Sequence, residues 1–119
     1  MKEIAGKMIP ETLEELVDPR YTAVINIDLQ NDGCSSGGQQ DRIGLDISMC
    51  RAVLPRVAKL SEGARKAGVL VVHTQNLSLP DHRSDSPAWL RFKMRTYLPE
   101  GESDYSPEGT WGADFADEV

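Results

Sequence analysis

Asp28 is the residue of this sequence best placed to do chemistry. It ends an almost continuously apolar run over residues 23–27, and such a run is typical of a strand covered on both faces of a parallel sheet. Catalytic groups of open α/β sheets gather at the carboxyl ends of the strands, so a carboxylate here is placed for chemistry. A strand-end aspartate also commonly caps the next turn, and both interpretations stay open. Asp32, in the polar loop that follows, is interpreted as an Asx-turn or cap residue.

Several other kinds of site have no motif in this sequence. A phosphatase with an aspartyl nucleophile needs a second Asp two residues after the first, and position 30 is Gln. Neither a Gly-x-x-x-x-Gly-Lys-Ser/Thr phosphate loop nor a Gly-x-Gly-x-x-Gly dinucleotide motif occurs. The two histidines, His73 and His82, lack metal-ligand spacing, so we expect neither a metal nor a cofactor. His73 is interpreted as a buried, hydrogen-bonded strand residue.

The two cysteines, Cys34 and Cys50, are weak candidates for a nucleophile. A thiol near an aspartate could form a nucleophile–base pair, and Cys34 lies in a Gly/Ser loop shortly after Asp28. However, Cys34 has neither a cationic neighbour nor a helix N-terminus of the kind that activates a thiol. Cys50 falls on the apolar face of a predicted helix, where a small buried residue is expected.

Aromatic and basic side chains alternate in one segment: Trp89, Arg91, Phe92, Lys93, Arg95 and Tyr97. This pattern could form a platform for single-stranded nucleic acid. The chain has a net charge of -6, however, and offers no electrostatic attraction for nucleic acid or an anionic membrane. We therefore expect no nucleic-acid or membrane partner, and interpret the segment as a lid or interface over a pocket.

The elements that would position these residues form one strand–helix–strand unit. A strand over residues 21–28 leads through a polar loop to a helix that Asp46 or Ser48 caps. Gly68 is expected to end this helix, and a second buried strand follows over residues 69–74.

Helical spacing places one apolar stripe on that helix, which indicates that it lies on a sheet. The stripe consists of Ile47, Cys50, Leu54, Val57, Ala58 and Ala64. Pro55 is expected either to kink the helix or to divide off a short leading turn.

The predicted organisation is an N-terminal arm over residues 1–20 and part of a single α/β domain over residues 21–119. No third strand is recognisable after residue 74, and a sheet of two parallel strands is not stable alone. We therefore expect an open parallel sheet with flanking helices that is incomplete in this chain. The chain would be a piece of a longer protein, or be completed by another polypeptide, and would carry an aggregation-prone sheet edge.

Several motifs resemble one enzyme family. Asp-Leu-Gln-Asn-Asp at residues 28–32 resembles the Asp-x-Gln-Asn-Asp signature that ends the first strand of the isochorismatase-like cysteine hydrolases. The helix end at residues 64–68 and the strand after it follow in the family's order, and Gly-Thr-Trp-Gly-Ala-Asp at residues 109–114 is similar to the family's segment before its third strand. His-Thr-Gln-Asn at residues 73–76 and Ser-Asp-Ser-Pro-Ala-Trp at residues 84–89 most resemble the amidohydrolases of biuret, triuret or ureidoacrylate.

The resemblance implies a Rossmann-like, three-layer α/β fold and an Asp-Lys-Cys triad that cleaves C–N amide bonds of small ureido-type compounds through a thioester. Asp28 matches the family's aspartate, whereas its Lys and Cys lie downstream of this sequence. We therefore expect the chain alone to be inactive. Gly33 replaces a commonly seen Phe, which removes an aromatic wall of the pocket. Gln75, Trp89 and Arg91 are candidates for the near wall of the substrate site.

Two other functions stay open. One keeps the family but changes the bond cleaved, to the vinyl ether of isochorismate. The other is a truncated, non-catalytic module that assembles with intact subunits. For the enzyme we expect a small-molecule amide substrate, a homo-oligomer or a partner segment that supplies the missing Lys and Cys, and a cytoplasmic location, since the N-terminus is too polar for a secretory signal.

Overall fold

The computed structural model describes residues 1–96, 98 and 104–119. The elements, in chain order, are β1 (Lys2–Ile4), β2 (Lys7–Ile9), α1 (Leu13–Leu16), β3 (Ala23–Ile27), α2 (Asn31–Cys34), α3 (Gln39–Arg42), α4 (Ser48–Lys66), β4 (Leu70–Thr74), a 3₁₀ turn (Pro80–His82) and α5 (Pro87–Thr96). None of the helices in this part of the chain is long and apolar enough to cross a membrane.

Strands β3 and β4 form a parallel pair, and helix α4 connects them, as the sequence predicts. In the register of this pair Ala23 lies opposite Leu70 and Ile27 opposite Thr74, so both strands end at the same edge. A buried hydrogen bond of 2.9 Å from Asn26 Nδ2 to Ser61 Oγ joins the sheet to the helix. The predicted α/β unit is confirmed.

Helix α4 packs on the sheet through the predicted stripe, of which Leu54 and Ala64 are buried. Cys50 is exposed, so the prediction that it is buried in this stripe is wrong. The helix also runs through Pro55 without interruption, so Pro55 does not divide off a leading turn.

The C-terminal end of α4 follows the predicted signal. At the N-terminal end the N-cap residue is Ile47, without a side-chain capping hydrogen bond, and not Asp46 or Ser48 as predicted. The backbone N–H of Ser48 donates to Asp46 Oδ1 at 2.9 Å, which supplies a partner for a helix-end donor. At the C-terminal end Ala67 is the C-cap residue. Gly68 follows it with φ +78°, a conformation that glycine adopts without steric cost.

One face of the β3–β4 pair is open to solvent, contrary to the prediction that these strands are covered on both faces. Ile25, Ile27 and Leu70 are 57%, 67% and 63% exposed. Helix α4 covers the opposite face only, and among the described residues β3 and β4 are the only strands in their sheet. This part of the chain therefore forms an incomplete α/β layer.

The N-terminal arm contains a hairpin that the sequence analysis missed. Strands β1 and β2 pair antiparallel through a two-residue turn in which Ala5 and Gly6 both have positive φ, 51° and 76°. Helix α1 begins with a capping box between Thr12 and Glu15. The boundary of the arm at residue 20 stays a prediction.

The C-terminal segment, residues 104–119, packs without regular secondary structure against the ends of β3 and β4. Phe115 forms an isolated bridge with Gln30. Ala116 joins Cys34 and Leu54 in the small buried core, which Leu29 also contacts. This segment therefore closes over the loop that follows Asp28.

Candidate active site

Asp28 lies at the predicted place, at the carboxyl end of β3. Its Oδ1 accepts a hydrogen bond of 2.9 Å from Thr74 Oγ1, at the end of β4, and its own N–H donates to the Thr74 carbonyl at 3.2 Å. Its backbone has φ +56°, which is uncommon outside glycine and is often found at functional sites. The side chain is half-buried. The carboxylate is thus held by the neighbouring strand and still reachable by a ligand.

Gln30 holds the loops around Asp28 together, a role that the sequence analysis missed. Its side chain is completely buried. Nε2 donates to the carbonyls of Asn76 at 2.9 Å and Ala113 at 2.7 Å, while Oε1 accepts from the N–H of Asn76 at 2.8 Å. A polar residue in the loop after an apolar strand was the available signal, but its partners lie far along the chain.

Asp32 is also buried, and it has a different role from Asp28. Oδ1 accepts the N–H of Gln39 at 2.9 Å, and Oδ2 accepts the N–H of Ser106 at 2.7 Å. It therefore caps the first residue of α3 from a distance and ties the C-terminal segment to α2. The predicted cap function is partly right, but the carboxylate does not form an Asx-turn on its own loop.

Lys93 is the charged centre of a cluster beneath α5. Its side chain is buried, and Nζ lies 2.9 Å from Asp85 Oδ2 and 2.8 Å from Asp104 Oδ2. His82 Nδ1 approaches the same Asp85 oxygen at 3.0 Å. Burial alone would lower the pKa of Lys93, but the two carboxylates outweigh it and raise the pKa. The hydrogen bond from Lys93 lowers the pKa of Asp85.

This cluster bears on two kinds of site considered from the sequence, a metal site and a nucleic-acid platform. His82, Asp85 and Asp104 could present ligand atoms to one metal ion, but the Lys93 ammonium already contacts both carboxylates. Lys93 is likewise unavailable to a nucleic-acid phosphate. Trp89 stacks on Phe92, with ring centroids 5.2 Å apart, and the third aromatic, Tyr97, lies outside the described residues.

A cavity of about 430 Å³ lies between α5, the loop after β4 and the C-terminal segment. Its lining is mixed polar and aromatic, and comprises Gln40, Asn76, Leu77, Ser78, Ser84, Asp85, Trp89, Lys93, Asp104 and Tyr105. Asn76 follows the end of β4 closely, so the cavity adjoins the edge of the sheet that carries Asp28.

Of the three residues predicted for the substrate wall, Trp89 lines this cavity, whereas Gln75 and Arg91 lie outside the lining. Gln75 Nε2 donates to the carbonyl of Ala113 at 2.8 Å, which binds the C-terminal segment to the end of β4. Arg91 is exposed on α5. The structure thus places one of the three beside the cavity.

The cysteine beside the site, Cys34, is buried at the end of α2. Burial raises the pKa of its thiol, so the sulfur is uncharged at neutral pH and is a poor nucleophile. His73, on β4, is half-buried rather than buried; its ring packs on Phe115, and Nε2 lies 3.3 Å from Arg65 Nη2. Neither residue supplies a nucleophile–base pair with Asp28.

The sequence matches the family model of the isochorismatase domain over residues 22–119. Among similar proteins, the ureidoacrylate amidohydrolase RutB of Caulobacter segnis is 35% identical over 121 aligned residues, which cover 94% of this chain and 50% of that protein. The protein of the same name from Azorhizobium caulinodans is 33% identical, over 92% of this chain and 51% of its own length. The protein of that name from Agrobacterium fabrum is 32% identical, over 85% of this chain and 47% of its own length. The chain spans about half the length of these relatives.

Proposed function

Because this chain belongs to the isochorismatase family, we propose that it forms the N-terminal part of a cysteine hydrolase that cleaves C–N amide bonds of small ureido compounds. Asp28 would be the general base. The observation that carries the proposal is its position: a half-buried carboxylate with one side-chain partner, Thr74, at the shared end of two parallel strands. Asn76, just after the end of β4, lines the cavity. The relatives named as ureidoacrylate amidohydrolases support a ureido substrate.

The proposed reaction proceeds through a thioester. Asp28 takes the proton of a cysteine thiol, and the thiolate attacks the amide carbonyl carbon while backbone amides bind the oxyanion. The C–N bond then breaks, and Asp28 returns the proton to the departing nitrogen. In the second half Asp28 takes a proton from water, whose oxygen attacks the thioester carbonyl carbon. The C–S bond then breaks, the acid product leaves, and Asp28 returns the proton to the thiolate. Since Cys34 is buried and uncharged and Cys50 lies on an exposed helix face, the Cys and a charge-positioning Lys would come from a segment beyond these residues.

Replacing Asp28 tests this proposal. We expect Asp28→Asn in the complete gene product to lower kcat/KM for biuret, triuret or ureidoacrylate by about 10²- to 10⁴-fold, because the base is lost. Asn tolerates positive φ and can still accept the Thr74 hydroxyl, so the fold should be kept. Steady-state assays over the substrate panel give the measurement.

The control for this substitution is Asp114→Asn, which changes an exposed carboxylate in the same way and should leave kcat/KM unaltered. Activity of Asp28→Asn within tenfold of the wild type would contradict the assignment of the base. The 119-residue chain assayed alone should show no turnover, because it would hold one member of the triad.

The exposed sheet face favours one other function, that of a non-catalytic assembly module. If the complete gene product contains no further Lys and Cys and turns over none of the amides, but binds intact homologous subunits, the module is supported. Isochorismate belongs in the same panel, since turnover of that compound alone would identify a vinyl ether hydrolase.

For the whole protein we also propose a cytoplasmic location and a homo-oligomeric state. Cell fractionation and the molar mass of the purified complete protein in solution test the two statements separately.

A further inference from the structure

We propose that Cys34 and Cys50 are a redox pair, which a peroxide converts into a reversible disulfide bond between α2 and α4. This is a site of modification, and it is independent of the amide hydrolysis proposed above. Three observations support the pairing: the packing of the two helices, the contact between the two side chains, and the difference in their exposure.

The first observation is the packing of α2 on α4. Cys34 is the last residue of α2, and it shares the small buried core with Leu54 of α4. Cys50 precedes Leu54 by four residues, and residues at this spacing lie on one face of a helix, one turn apart. Cys50 therefore lies on the side of α4 that packs on Cys34.

The second observation is the contact between the two side chains. Burial is the main cause of the raised pKa of the Cys34 thiol, and Cys50 raises this pKa further, electrostatically and through a side-chain hydrogen bond. A hydrogen bond between two thiols requires that their sulfur atoms be neighbours. The sulfur atoms thus meet in the folded chain, although the segment 35–49 separates them in sequence.

The third observation is that the two thiols differ in their access to solvent. Cys50 is exposed, whereas Cys34 is 4% exposed. A dissolved oxidant therefore meets Cys50 first, with Cys34 held beside the product. A cavity of about 550 Å³ borders this junction, and its lining includes Cys34 together with Ser48, Arg51 and Leu54 of α4. Unfilled space here lets the sulfur atoms shift with less loss of packing than in a close-packed core.

The oxidation takes two steps and consumes one molecule of hydrogen peroxide. In the first step the sulfur of Cys50 attacks a peroxide oxygen and the O–O bond breaks. The departing hydroxide takes the thiol proton and leaves as water, and Cys50 becomes a sulfenic acid. In the second step the sulfur of Cys34 attacks that of Cys50, the S–O bond breaks, and the hydroxide leaves as water with the Cys34 proton. The two thiols lose two electrons, which reduce the peroxide to water.

The contact between the side chains explains why Cys34 can act in the second step. Its raised pKa makes it a poor nucleophile toward a dissolved partner, but the sulfenic acid on Cys50 is held next to it. In a reducing compartment such a pair rests as two thiols. A dithiol attacks the disulfide at the exposed Cys50 sulfur and restores both thiols by exchange.

Peptide mapping of the complete gene product tests the pairing. The folded protein is oxidised with hydrogen peroxide, its remaining thiols are alkylated, and it is digested with trypsin. Trypsin cleaves after Arg42, so the two cysteines lie in separate peptides, residues 21–42 and residues 43–51. We expect these peptides to stay joined after oxidation, with the loss of two hydrogen atoms, and to separate after treatment with dithiothreitol.

The disulfide should also raise the melting temperature, because it closes the segment 35–49 in the unfolded chain. We expect the oxidised wild type to melt about 5 °C above the reduced protein. Cys50→Ser is the matched control, since it changes an exposed side chain. Oxidation of this variant should give no joined peptides and no such rise. In Cys34→Ala, Cys50 should stop at the sulfenic acid, which dimedone labels.

Three outcomes would overturn the inference. The first is that the peptides 21–42 and 43–51 separate after oxidation of the folded wild type. The second is a disulfide from Cys50 to another cysteine, and the third is joined peptides that form only when the protein is oxidised in urea. None of these measurements uses turnover, so the pairing and the proposed amide hydrolysis stand or fail separately.

Discussion

Two aspartates four residues apart, Asp28 and Asp32, differ because their partners differ. Asp32 receives two backbone N–H groups and is buried, so its charge is used to hold three segments together. Asp28 receives one side-chain hydroxyl and stays half-buried on a left-handed backbone. Of these two carboxylates, only that of Asp28 is partly exposed, which is why we propose Asp28 as the base.

The close packing around Asp32 makes a prediction at Gly112. A Cβ on Gly112 would lie 2.4 Å from Cγ and both carboxylate oxygens of Asp32, which cannot move without losing its N–H donors. Gly112→Ala should therefore destabilise the fold by roughly 2–4 kcal/mol. Urea unfolding followed by tryptophan fluorescence gives the measurement.

Gly63 provides the matched control, because it lies inside α4 with open space around its Cβ position. Gly63→Ala should stabilise the protein by about 0.5–1 kcal/mol through the better helix propensity of alanine. A Gly112→Ala variant as stable as the wild type would contradict the prediction, because it would show that the segment around Asp32 can shift to accommodate a methyl group.

At the scale of elements, α5 is held in position by charge as well as by apolar contact. Lys93 is 4% exposed and reaches back to Asp85, in the loop before α5, and to Asp104 beyond it. Met94, the next residue of the helix, is mostly exposed, and Trp89 and Phe92 are partly exposed. The ion cluster therefore helps to fix the helix that brings Trp89 to the cavity.

Replacing Lys93 should destabilise this arrangement in a pH-dependent way. At pH 7 we expect Lys93→Met to cost about 3 kcal/mol of unfolding free energy, because two carboxylates lose their buried counter-charge. The measurement is urea unfolding of wild type and variant at pH 7 and pH 3, with the exposed Lys66→Met as control.

The sign of the pH effect follows from the direction of each pKa shift. The lowered pKa of Asp85 means that its stabilisation is complete above the ordinary aspartate pKa of about 3.9 and is lost as the pH falls through the folded value. The raised pKa of Lys93 means that its contribution is lost only above the ordinary lysine value of about 10.4. The difference between wild type and Lys93→Met should thus be smaller at pH 3, and equal differences at both pH values would contradict the ion pairing.

At the scale of the whole molecule, the chain exposes one apolar face of a parallel sheet, and parallel sheets are normally covered on both faces. Helix α4 supplies one cover. Since the chain spans about half the length of its relatives, a further segment of the protein is the cover we propose for the other face.

This face predicts how the isolated chain behaves in solution. We expect the 119-residue chain to self-associate as its concentration rises, and the combined change of Ile25, Ile27 and Leu70 to Thr to reduce association. Light scattering over a concentration series measures the self-association of both chains. Met49→Thr, at a single exposed methionine on α4, is the control, and a wild-type chain that stays monomeric would contradict the prediction.

Local sequence patterns were sufficient for the strand–helix–strand unit, the C-terminal end of α4 and the position of Asp28. Each of these depends on hydrophobic period, capping residues and strand order, which act over a few neighbouring residues. The family motifs, read in order along the chain, were sufficient for the family. The short hairpin of the arm was missed because an Ala-Gly turn between strands of three residues is a weak local signal.

Only the tertiary structure decided which polar residues act together. The partners of Gln30 and Asp32, the contact of Tyr105 with Gly33 and the enclosure of Lys93 join residues that a linear pattern does not relate. The exposure of Cys50 and of Ile25 was decided in the same way. Burial depends on what packs against a residue, and apolar periodicity specifies the face that needs a cover without specifying whether this chain supplies it.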